Sequence, residues 1–157
     1  MASRSPWAAL ARLGQAHWFF GNLYEAAVDV PRLVADAERE PRLLGPGSPL
    51  RYYAPAAPVT VAATGAALVE AWRSGGDRRA VATSAAGTLV AAGLTGYLVR
   101  AVNLRLLRGG TPPGADERRR LLRTWHRLNL VRLAALAVAA LALRRSRGVR
   151  APATPGR

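Results

Sequence analysis

The chain has 157 residues, half of them hydrophobic but only 6% aromatic, so its apolar content is mostly Ala, Leu and Val. Its formal net charge of +14 is carried by arginine alone, and it contains no cysteine, which excludes disulfides and thiolate chemistry. The arginines bracket apolar stretches instead of gathering beside stacking aromatics, which argues against a nucleic-acid partner and for the headgroup layer of a bilayer.

Residues 6–30 are expected to form a first helix, although it carries Arg12, Gln15, His17, Asn22, Glu25 and Asp29. Glu25 and Asp29 fall where a signal-peptide cleavage region should be small and neutral, so this helix is expected to be retained. A connection over 31–51 is rich in charge, Pro and Gly, and Val34, Leu43 and Leu44 would let part of it lie on a membrane surface. The second helix is expected over 53–73, ending at Glu70-Ala71-Trp72-Arg73 with Trp72 and Arg73 as interface anchors. Ser74-Gly75-Gly76-Asp77 reads as a tight turn. A third helix over 79–104 follows, in which residues 80–99 are free of charge, long enough to cross a hydrocarbon core of roughly 30 Å. After a second connection, Pro112-Pro113-Gly114 breaks the chain and Asp116 and Glu117 suit the start of a fourth helix over 116–145. Residues 146–157 read as a basic, disordered tail.

The sum is an all-α fold, an integral membrane four-helix antiparallel bundle forming one domain over 1–145. The expected place is a cell membrane crossed several times, with the lipid bilayer as partner and self-assembly left open. The basic turn and tail favour both termini on the cytoplasmic side. Arginine without lysine fits the codon usage of a GC-rich bacterial genome.

An antiparallel bundle puts the end of the first helix beside the start of the fourth. Gln15, Trp18, Asn22, Glu25 and Asp29 then form one stripe, faced by Trp125, Asn129 and Arg132 at the same helical spacing. Arg132 falls near mid-span, where an unpartnered cation costs roughly 2.5 kcal/mol or more, so it is expected to face inward and pair with Glu25. Tyr52, Tyr53, Tyr97 and Arg100 belong to the same half. Two readings follow: the cluster fixes helix register, or it lines a polar pocket for an apolar or aromatic small molecule. His17 and His126 are the side chains that titrate near neutrality, but their spacing matches no metal-ligand pattern. There is no phosphate loop, nucleophile elbow or dinucleotide fingerprint.

The run Gly14-Gln15-Ala16-His17-Trp18-Phe19-Phe20-Gly21-Asn22-Leu23-Tyr24-Glu25, together with Trp125-His126-Arg127-Leu128-Asn129-Leu130-Val131-Arg132, resembles the anthrone-oxygenase-like family of small four-helix membrane proteins. The shared pattern is a Gly- and aromatic-rich first helix and a W-x-x-x-N-x-x-R motif opening the last. The resemblance implies oxidation of a polycyclic phenol of the anthrone type without metal, flavin or other cofactor. His17 or Glu25 would then remove a proton, and Asn129 and Arg132 would stabilise developing negative charge. Trp18, Asn22, Tyr97 and Trp125 would line the substrate site. The alternative is a non-catalytic membrane accessory or small-molecule-binding protein whose Glu/Arg/Asn cluster only fixes helix packing.

Overall fold

The computed structural model describes residues 5–30, 49–107 and 113–146. Among these the chain is all-α: four long helices and no strand. The expectations for the connection over 31–51 (all but its last turns), for the side chains of Tyr52 and Tyr53 and for the tail beyond Ser146 lie outside the described residues.

Helix α1 (Pro6–Ala27) begins where Pro6 supplies a pre-set first-turn φ and the Ser5 hydroxyl accepts the Ala8 N–H at 3.4 Å. Its regular turns stop at Ala27, because Asp29 takes a left-handed backbone with φ 53°, a conformation for which Asp and Asn are enriched. Helix α2 (Pro49–Arg73) and helix α3 (Arg78–Leu98) are joined by a turn in which Gly75 has φ 77°. The Gly76 N–H returns to the Ala71 carbonyl, and the Asp77 carboxylate caps α3 by accepting the Arg79 and Ala80 N–H groups at 2.9 and 3.2 Å. Beyond Leu98 the helix continues through a π-helical turn, Val99–Asn103, and a last α-helical turn, Leu104–Leu107. No signal in the residue pattern foretold the π turn. Helix α4 (Ala115–Arg145) carries Asp116 and Glu117 in its first turn and Arg144 and Arg145 in its last, each sign complementing the helix dipole.

The helices form a ring in which each packs against its chain neighbours and α1 also packs against α4. Asp77 N–H donates to the Ser146 carbonyl at 3.2 Å, and Asp29 meets His126 at 3.0 Å. The end of α4 therefore lies beside the start of α3, and the end of α1 beside the start of α4. The packing is antiparallel.

Three core layers stack along the axis. The layer by the α2–α3 turn is mostly alanine, with Ala8, Ala11, Ala63, Ala67 and Ala71 around Leu68, Val81 and Leu143. Trp18, Ala91 and Leu136 form the middle, and Leu98, Val102 and Trp125 the far layer. Small residues bring the backbones close. A β-carbon on Gly14 would fall 2.4 Å from Thr60 Oγ1, and one on Gly87 would fall 2.8 Å from the Ala135 carbonyl.

Polar side chains are buried alongside the apolar core, and large apolar side chains lie on the outer surface. Gln15, Asn22, Thr64, Ser84, Asn129 and Arg132 are buried, whereas Leu13, Phe20, Leu89, Leu130 and Leu141 are more than half exposed. Two helical stretches, Arg78–Leu106 and Ala115–Arg145, are long and apolar enough to cross a membrane.

Candidate functional site

The W-x-x-x-N-x-x-R spacing puts Trp125, Asn129 and Arg132 on one face of α4, and all three are buried. The opposite wall is the stripe of α1 that buries Gln15, Trp18, Asn22 and Glu25. By the helical rise of about 1.5 Å per residue, Arg132 lies about 20 Å from the C-terminal end of α4.

Arg132 is held from two helices. Its Nε and Nη2 both donate to Asn129 Oδ1, at 3.1 and 2.6 Å, and its Nη1 donates to Thr95 Oγ1 on α3 at 3.3 Å. Asn129 in turn donates from Nδ2 to the Asn22 carbonyl on α1 at 3.2 Å, completely out of contact with solvent. Asn22 bonds back to the Trp18 carbonyl at 2.6 Å, and Thr95 donates to the Ala91 carbonyl at 2.8 Å. One guanidinium and one carboxamide thus tie α1, α3 and α4 together. Such a network fixes where the positive charge sits, because each hydrogen bond restricts the next.

Glu25 is the acidic member of this cluster, buried on α1 and interacting electrostatically with Arg132. Trp18 and Trp125 bound the cluster along the axis, one in the middle core layer and one in the far layer. The cluster is therefore a carboxylate and a guanidinium between two indoles of successive core layers.

Two expected site residues stand apart. His17 is exposed on α1, off the stripe that carries Glu25, and Tyr97 is 53% exposed on the outer surface of α3. His126 is half-exposed at the rim, edge-on to Trp125 with ring centroids 5.2 Å apart and paired with Asp29 at 3.0 Å. Among the described residues no three His, Asp or Glu side chains gather closely enough to hold a metal ion.

A second polar layer went unread in the sequence. Gln15 Nε2 donates to Thr64 Oγ1 at 3.3 Å and Thr88 Oγ1 at 3.5 Å, and Ser84 Oγ donates to the Ala139 carbonyl at 3.0 Å. Thr64 and Thr88 lie on separate apolar spans, α2 and α3. The usable signal was Gln15 itself, a side chain needing two partners at that depth.

The family model described as anthrone oxygenase matches residues 50–142. The chain belongs to the anthrone oxygenase family. The match spans nearly all of α2, all of α3 and most of α4, and it contains Thr95, Trp125, Asn129 and Arg132. It begins after α1, so the family resemblance seen over residues 14–25 rests on those residues themselves. What joins α1 to the matched region is packing, through the Asn129–Asn22 bond and the Asp29–His126 contact. No curated protein and no solved structure matches the chain.

Proposed function

We propose that this member of the anthrone oxygenase family is a multi-pass protein of a bacterial cell membrane that oxidises an acidic polycyclic phenol of the anthrone type with dioxygen and without a cofactor. The observation that carries the reading is Arg132, a buried cation held by Asn129 and Thr95 beside the Glu25 carboxylate. A buried charge costs several kcal/mol to desolvate and is weak evidence for stability alone, so an arrangement that holds it in place supports a chemical use.

The substrate enters as a flat molecule whose phenolic oxygens face Arg132, between Trp18 and Trp125. The Glu25 carboxylate removes a proton from the ring methylene, leaving an electron-rich anion stabilised by Arg132 and oriented by Asn129. The anion gives an electron to dioxygen, and the two radicals combine to form the carbon–oxygen bond of a hydroperoxide, which takes up one proton. Loss of the second methylene proton and cleavage of the O–O bond release water and leave a quinone carbonyl. One dioxygen is consumed, one oxygen atom stays in the product and the other leaves as water. His17 and Tyr97, standing outside the cluster, take no part in these steps.

A second reading is favoured by the completeness of the hydrogen bonds around Asn129: the cluster is a helix clamp in a non-catalytic, small-molecule-binding protein. The two readings part on turnover. The detergent-solubilised chain, treated with chelator, is mixed with an anthrone in air while oxygen uptake and quinone absorbance are followed. The oxygenase yields one quinone per dioxygen, and Glu25→Gln lowers the rate by about 10²–10⁴-fold, the usual weight of a general base. Absence of quinone above the uncatalysed rate, with the chain folded, establishes the clamp instead.

A further inference from the structure

A groove of about 290 Å³ runs along the outer seam between α1 and α4. Phe19, Phe20, Leu136 and Leu141 wall it, and Arg12 and Arg144 line the same groove at the end nearer the α2–α3 turn. Arg12 Nε donates to the Ala8 carbonyl at 3.0 Å, which turns its side chain toward the N-terminal end of α1. In the antiparallel packing that is the end where α4 finishes and Arg144 sits. Among the described residues neither arginine has a carboxylate partner. The surroundings mark this end as a membrane surface: Trp7 and Trp72 are exposed there, and the Arg78 guanidinium stacks on Trp72 at 4.9 Å.

We infer that the α1–α4 groove is a binding site for one anionic phospholipid of the bilayer, with the phosphate between Arg12 and Arg144 and an acyl chain laid along Phe19, Phe20 and Leu141. Charge complementarity selects the occupant. Among the described residues the two cations at one mouth have no carboxylate partner, and a phosphate at the headgroup level supplies the anion, while the groove below is walled mainly by apolar side chains, with Gln15 among them. A zwitterionic lipid brings its own cation into the same space and gains less. The inference rests on the membrane reading proposed above and is independent of the oxygenase chemistry.

The test is native mass spectrometry of the full chain released from micelles that contain equal amounts of a phosphatidylglycerol and a phosphatidylcholine with the same chains. The wild type retains one phosphatidylglycerol in preference. Arg12→Gln/Arg144→Gln weakens that retention by about fivefold for each arginine removed, the weight of one cation near an anionic surface. Arg79→Gln/Arg145→Gln, at the same end but outside the groove, leaves it unchanged. Equal retention of the two lipids overturns the site, as does equal loss in both double variants, which would mean a diffuse basic belt. Competition by inorganic phosphate at millimolar concentration would overturn the lipid in favour of a free anion. Alkaline carbonate extraction of membranes separates the failures: a chain washed off defeats the membrane reading itself, whereas a chain that stays but shows no lipid preference defeats this inference alone.

Discussion

Toward the α2–α3 turn the helices meet through alanine, and toward the junction of α1 with α4 they meet through asparagine, arginine, glutamate and tryptophan. The first half obtains its cohesion from close backbone approach, with Gly14 against Thr60 and alanine on three of the four helices. The second half buries a charge that a lipid-like interior opposes, and surrounds it with hydrogen bonds from α3 and α4. A buried charge is weak evidence for stability alone, and the proposed chemistry gives the polar half a further reason to exist.

Six substitutions sharpen the contrast, in order of expected effect. Glu25→Gln is the largest, a loss of about 10²–10⁴ in turnover with helix content unchanged, read by quinone absorbance. Asn129→Ala comes next. It strips Arg132 of the oxygen that receives two of its N–H groups, a loss of about 1.5–3 kcal/mol by the usual weight of hydrogen bonds to charge, read by thermal unfolding in detergent. In the alanine half, Gly14→Ala forces a methyl into Thr60 and costs about 1–2 kcal/mol after the helix-propensity gain is subtracted. Adding Thr60→Ala recovers most of that loss. Gly93, whose added β-carbon meets nothing within 4 Å, is the control: Gly93→Ala stabilises by about 0.5–1 kcal/mol. The smallest effect is at the exposed Arg105–Glu117 pair, 2.9 Å apart across the junction of α3 and α4, where Glu117→Gln costs at most about 1 kcal/mol. A loss of several kcal/mol there would show that the junction, and not the core, holds the bundle.

The contrast also explains what the sequence could disclose. The four-helix architecture was legible because charge-free spans, turn residues and flanking arginines agree over long stretches, as at Ser74-Gly75-Gly76-Asp77. The α4 motif was legible because three residues at helical spacing must share a face. Thr95 was not, because a threonine in an apolar helix matters only when another helix brings a donor to it. His17 and Tyr97 looked like site residues because their chemistry suited the reaction. One residue's shift around α1 separates His17 from the buried stripe, since neighbouring positions turn about 100° apart. The π turn at Val99–Asn103 left no trace in residue pattern; its Val102 packs with Leu98 and Trp125 in the far core layer.

The most direct test of the central claim, that the buried polar half is kept for chemistry and not for folding, is the joint replacement Glu25→Met/Asn129→Leu/Arg132→Met, which removes the carboxylate with the cation, followed by unfolding temperature and anthrone turnover on one preparation. Replacing a buried polar group and its partner together by apolar residues of similar size is often neutral or stabilising. The account predicts a melting temperature at or above the wild type and no quinone formation. A chain that unfolds well below the wild type, or one that still forms quinone at the wild-type rate, would contradict it.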